Sequence, residues 1–69
     1  MEDWDKILDE FQKKLKSFRE FVNCTQTEFA KKTGISRVTM NMLESGKRRL
    51  SKVQYYAIKY VLDNWASIA

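Results

Sequence analysis

The side chains best equipped for chemistry in this sequence are cationic: Lys47, Arg48, Arg49 and Lys52 fall within six positions, and Arg37 lies ten residues before the run. Such a cluster attracts polyanions by displacing their condensed counterions, or else is an ordinary solvated charge run. Catalytic chemistry finds no foothold. The chain contains no His, no grouping of metal ligands and no phosphate-cradling Gly loop, so neither an enzyme, a cofactor nor a metal is expected. Cys24 is the single cysteine, and without an imidazole to activate it the thiol reads as a small buried apolar residue. The acids Glu2, Asp3, Asp5, Asp9 and Glu10 scatter around one helix, as a solvated face or as a charge that repels a polyanion.

Charge is unevenly spread along the 69 residues. Positions 1 to 10 hold five acids and one Lys, while positions 11 to 52 hold eleven bases and three acids. This polarity suggests a cationic zone facing a polyanion, with the acidic end held away from it. The length leaves room for one small core, and the expectation is a single domain over residues 1–69. A lone cysteine fits a reducing compartment, and no segment has the pattern of a signal peptide or the length of a membrane span. A cytoplasmic, nucleoid-associated location is therefore expected.

The elements that must position these cations are helical. No Pro occurs and only two Gly residues do, and apolar residues recur at intervals of three and four. Trp4, Leu8, Phe11, Leu15, Phe18 and Val22 mark one long helix from about Asp3 to Val22, with Ile7 and Phe21 broadening the stripe and Asn23 able to end it in the left-handed conformation. Thr25 with Glu28 predicts a capping box for a short second helix, which turns Phe29 and Ala30 inward and stops at Gly34. Ser36 caps a third helix over 37–44, holding Met40 and Leu43 inward and closed by Ser45 and Gly46. Ser51 with Gln54 opens a fourth helix, whose stripe of Ile58, Val61, Leu62, Trp65 and Ile68 carries it nearly to the end of the chain. The predicted fold is all-α, a compact bundle of four to five helices with an extended first and last helix.

Two short helices around a tight Gly turn form a DNA-binding helix-turn-helix when the second can enter the major groove, and residues 25–46 have that layout. The run from Thr25-Gln26 through the small Ala30, the turn Gly34 and the cap Ser36 to Glu44-Ser45-Gly46-Lys47 resembles the Cro and lambdoid phage repressor class, the Xre family, over at least residues 15 to 62. Asn23 stands where that class commonly has Gly. The resemblance also implies a structural ion pair between Arg19, seven residues before Gln26, and Glu44 at the end of the recognition helix.

By position, the resemblance nominates Ser36, Arg37 and Val38 for base contacts, with Asn41 and Met42 one turn further on. Arg37 suits the O6 and N7 of guanine, Val38 a thymine methyl and Asn41 an adenine. The alternatives are an incidental exposed Val38, the lesser reading, and a merely solvated Asn41, which stands on a par with the base contact. Phosphate contacts are implied for Thr25 and Gln26 at a helix start, for Thr39, and for Ser45, Lys47, Arg48, Arg49 and Lys52 on the far side.

The first helix carries about ten residues beyond what the class needs. Its Trp4, Ile7 and Leu8 are expected to bury against Trp65 and Ile68 in an antiparallel pair of long helices. Leftover apolar surface would serve a homodimer on a palindromic operator of double-stranded DNA, with half-sites about 34 Å apart. The function expected is a transcriptional regulator, a repressor first of all. Two other readings stand beside it: an antitoxin-like or adaptor module whose terminal helices bind a protein partner, and a non-specific nucleic-acid binder with stacking aromatics.

Overall fold

The computed structural model describes residues 2–68, with side chains through Ser67. Every regular element among them is a helix: α1 (Trp4–Lys13), α2 (Leu15–Phe21), α3 (Gln26–Thr33), α4 (Arg37–Ser45), α5 (Lys52–Asp63) and α6 (Trp65–Ile68). The all-α bundle is as expected. Its Cα radius of gyration, 11.4 Å, is that of a close-packed chain of this length.

Local chemistry sets the helix starts. Asp3, Thr25, Ser36 and Ser51 each hold extended backbone angles and accept an N–H from the first turn on a side-chain oxygen. At Ser51 the capping box is complete, because Gln54 Oε1 accepts the Ser51 N–H at 3.0 Å. At Thr25 it is not reciprocal as expected: the Glu28 carboxylate takes the Thr25 hydroxyl proton at 3.0 Å instead of the backbone N–H. The predicted left-handed residues end their helices, with φ of 55° at Asn23, 74° at Gly34 and 77° at Gly46. After Gly46, the Gly46 N–H reaches the Leu43 carbonyl and the Lys47 N–H the Met42 carbonyl, the two bonds of a Schellman motif.

Two predicted long helices are each divided. The first breaks at Lys14, whose N–H bonds the Phe11 carbonyl at 3.1 Å. No Pro or Gly lies there. From Trp4 to Phe18 the stripe repeats every 3.5 residues on average, whereas a straight helix turns every 3.6, so over that stretch its apolar face drifts by about 20° per seven residues. One tighter turn at Lys14 re-phases the stripe and keeps both Leu8 and Leu15 in the core. The last helix breaks at Asn64, whose side-chain amide donates to the Tyr60 carbonyl at 2.8 Å and so competes with the helical ladder.

The core draws its fully buried residues from the four central helices and one loop: Leu15 of α2, Phe29 of α3, Met40 and Leu43 of α4, Leu50 of the following loop and Ile58 of α5. Ala30, 4 % exposed, is buried beside them on α3. The terminal helices depart from expectation. Trp4 meets Tyr55 and Tyr56, each with ring centroids 5.8 Å away, Phe11 meets Tyr55 at 4.8 Å, and Phe18 and Val22 share a groove with Leu62. Positions rise together along the two partners, so α1–α2 and α5 run parallel rather than antiparallel: α3 and α4 already carry the chain back before α5 begins. Trp65 lies instead under Lys32, with Nζ 5.4 Å from the ring centre. The expected burial of the Ile68 side chain falls outside the described residues.

Candidate nucleic-acid interface

With Met40 and Leu43 fully buried, α4 must turn residues 37, 38, 41 and 42 outward, and Arg37, Val38 and Asn41 are indeed exposed while Met42 is half-buried. Val38 keeps 67 % of its surface accessible on a face where no core awaits it. Arg37, Val38, Asn41, Met42 and Lys47 line one shallow depression. The Arg37 guanidinium has no side-chain partner among the described residues, so its donors are available to a ligand. Ser36, also exposed, commits its hydroxyl to capping: the oxygen accepts the Thr39 N–H at 3.1 Å and its proton goes to Thr39 Oγ1 at 2.9 Å.

What holds α4 in place is an ion pair at its far end. Arg19 donates from Nε to Glu44 Oε2 at 2.8 Å and from Nη2 to Glu44 Oε1 at 3.0 Å, a two-pronged fit of planar guanidinium to carboxylate. A third bond, Nη1 to the Cys24 carbonyl at 2.9 Å, ties the same group to the turn before α3. Only 13 % of the Arg19 side chain and 5 % of Glu44 remain accessible. The hydrogen bond to Glu44 raises the Arg19 pKa against the opposing effect of burial. The network continues, with Gln26 Nε2 donating to Glu44 Oε1 at 3.2 Å and Asn41 Nδ2 to Gln26 Oε1 at 3.4 Å.

The start of α3 flanks α4. Thr25 is exposed and Gln26 half-buried, and after Thr25 has satisfied the Glu28 N–H, those of Gln26 and Thr27 remain without an acceptor inside the helix. Thr39 is half-buried beside Ser36, and Ser45, exposed, donates its hydroxyl to the Met42 carbonyl at 3.2 Å.

The basic residues after α4 separate into two pairs. Lys47 and Arg48 are exposed and have no side-chain partner among the described residues. Arg49 donates to Asp5 at 2.8 Å, and Lys52 stands 4.5 Å from the ring centre of Trp4. The acidic end is therefore not held away from the cationic zone, because packing Trp4 on Tyr55 and Tyr56 brings the first turn of α1 against this loop. Asp3, Asp5 and Asp9 line a groove whose opposite wall includes Ser45 and Arg49.

One organising residue escaped the sequence reading. Gln12 donates from Nε2 to the carbonyls of Leu43 at 3.0 Å and Arg48 at 2.6 Å, and its Oε1 accepts the Leu50 N–H at 2.9 Å. These bonds fix the basic loop against α1. The one hint in the sequence is a neutral amide directly beside the apolar stripe, between Phe11 and the Lys13-Lys14 pair.

Among the described residues no group of three His, Cys, Asp or Glu side chains could hold a metal ion. Burial pushes the Cys24 thiol above its ordinary pKa, which leaves it a poor nucleophile. Among the described residues no helix is long and apolar enough to cross a membrane. A family model, HTH_3, described as helix-turn-helix, matches residues 15–58, from the first residue of α2 into α5. Comparison with curated proteins and with solved structures gives no match.

Proposed function

The chain belongs to the HTH_3 helix-turn-helix family of DNA-binding regulators, and on that premise we propose that it is a transcriptional repressor, a single domain over residues 1–69 that binds a palindromic operator as a homodimer. One observation carries this reading: Arg37 stands exposed and uncommitted in the first turn of a helix whose other end is locked to the body through Arg19 and Glu44. A rigidly held guanidinium at the leading end of a groove-sized helix can give two parallel hydrogen bonds to guanine O6 and N7.

Around that anchor, Val38 offers an apolar contact to a thymine methyl, Asn41 an amide and Met42 its exposed half, with Ser36 reading only through the lone pair its cap leaves over. Phosphates are met on one side by Thr25, the Gln26 backbone N–H and Thr39, and on the other by Ser45, Lys47 and Arg48. Arg49 and Lys52 join them by turning from Asp5 and Trp4. The homodimer is supported by an uncharged stripe on α5, where Val53, Tyr56 and Tyr60 are 79 %, 55 % and 65 % exposed at helical spacing. A two-fold pair gives each operator half-site one recognition helix.

Selection of bound duplexes from a randomised pool tests this reading. The expected product is an inverted repeat with a guanine in each half and centres about one helical turn apart. A pool without consensus would sink it. Sedimentation of a Tyr60→Glu variant, which places a charge on the stripe, checks the dimer: a monomer is expected, with binding to the full operator weakened and to a half-site unchanged.

A second reading, a protein-interaction module working through the terminal helices, draws on the same exposed α5 residues and on Phe21, 90 % exposed. An Arg37→Ala variant that keeps its biological effect while losing DNA would favour it.

A further inference from the structure

Three amide and carboxylate groups stand in line behind the outer face of α4, and their order has a chemical direction. Glu44, paired with Arg19 through both oxygens, is an acceptor only. Whatever side of Gln26 faces it must therefore be the NH2 group, and Nε2 does so at 3.2 Å. That choice turns Gln26 Oε1, again an acceptor only, toward Asn41, which must answer with its own NH2 group, Nδ2 at 3.4 Å. Neither amide can turn over without setting two donors or two acceptors against each other.

We propose that Gln26 is a specificity-setting positioning residue: it carries the polarity of the Arg19–Glu44 pair out to Asn41, so that Asn41 meets the base edges with its Oδ1 and its second N–H in a fixed order and selects adenine. The proposal rests on the reading of α4 as the base-contacting helix. Adenine presents N7 as acceptor and the N6 amino group as donor, the complement of the acceptor and donor that Asn41 has left. An unlocked Asn can turn over and accept the reverse order, so what the relay adds is discrimination at one base pair. The Gln26 side chain is thereby set apart from its backbone N–H, which remains directed at phosphate from the start of α3.

The experiment compares wild type, Asn41→Ala and Gln26→Ala in selection from a randomised duplex pool, with thermal unfolding of each and NMR of the Asn41 side-chain NH2 in the free proteins. Wild type is expected to yield an adenine position that Asn41→Ala abolishes. Gln26→Ala is expected to lower the preference at that same position by about tenfold, leaving the guanine assigned to Arg37 sharp and lowering Tm far less than loss of Glu44 does. In the free protein, Gln26→Ala should bring the two Asn41 NH2 proton shifts closer together. A Gln26→Ala consensus as sharp as that of wild type, or a uniform weakening on all sequences, would overturn the relay alone. A wild-type pool with no consensus would overturn the base-reading role of α4 itself.

Discussion

The two ends of α4 are built on opposite plans. At the leading end Arg37 and Val38 project, exposed, from a capped helix start, and the Arg37 guanidinium has no hydrogen-bond or ion-pair partner among the described residues. At the trailing end Glu44 is nearly inaccessible and accepts from both Arg19 and Gln26. Both ends of one short helix thus serve a single task by different means. The trailing end converts burial into position, and the leading end keeps its donors unspent for a ligand. Fold stability and sequence preference should accordingly be separable by substitutions fewer than ten positions apart.

The largest effect is expected at the trailing end. Glu44→Ala strands a guanidinium that is 13 % exposed, a loss of about 3 kcal/mol. For a domain this small, each kcal/mol corresponds to roughly 4–8 °C, so calorimetry should record a Tm lower by more than about 10 °C. A Tm that barely moved would break the contrast. Next comes Arg37→Ala, which should leave Tm within about 2 °C because nothing in the fold leans on it, yet weaken operator binding by about 1–3 kcal/mol and relax one base pair. Loss of stability from this variant would erase the distinction from the other side.

Smaller effects sharpen the division within the basic loop. Arg48→Ala should weaken every sequence alike and reduce the salt slope of log K by about one, whereas Arg49→Ala should reduce it by less, since Asp5 already neutralises part of that charge. Titrations across a salt series distinguish the two. The smallest change is expected from Asp5→Asn, which releases Arg49 and should tighten binding to any DNA by about twofold, as suits an exposed pair. A sequence-dependent gain would place Asp5 at the base edges instead.

Much of this design is legible in the sequence wherever chemistry is local. Ser36 and Ser51 announce helix starts because a hydroxyl there satisfies a first-turn N–H, and Gly34, Gly46 and Asn23 announce ends because few residues accept the backbone angle required. The outward face of α4 follows from the inward spacing of Met40 and Leu43. The sequence was silent where one element chooses another. Trp4 could pack on any large apolar partner, and only the three-dimensional path through α3 and α4 selects Tyr55 and Tyr56 over Trp65. That choice in turn brings Asp5 to Arg49, an approach that a tally of charge by segment describes as a separation. Resemblance points Gln26 at phosphate, and the turn of its side chain toward Glu44 and Asn41 depends on both lying within reach across two helices. Breaks at Lys14 and Asn64 escaped because neither is a Pro or a Gly.

Gln12 has one more effect. Its three bonds immobilise the chain between Leu43 and Leu50 while the protein is still alone in solution. If Lys47 and Arg48 grip phosphates as proposed, they would meet a duplex on a pedestal already set, and docking would forfeit little backbone motion. Damage at Gln12 would surface as looser, slower capture of every duplex, with the motif it prefers left intact.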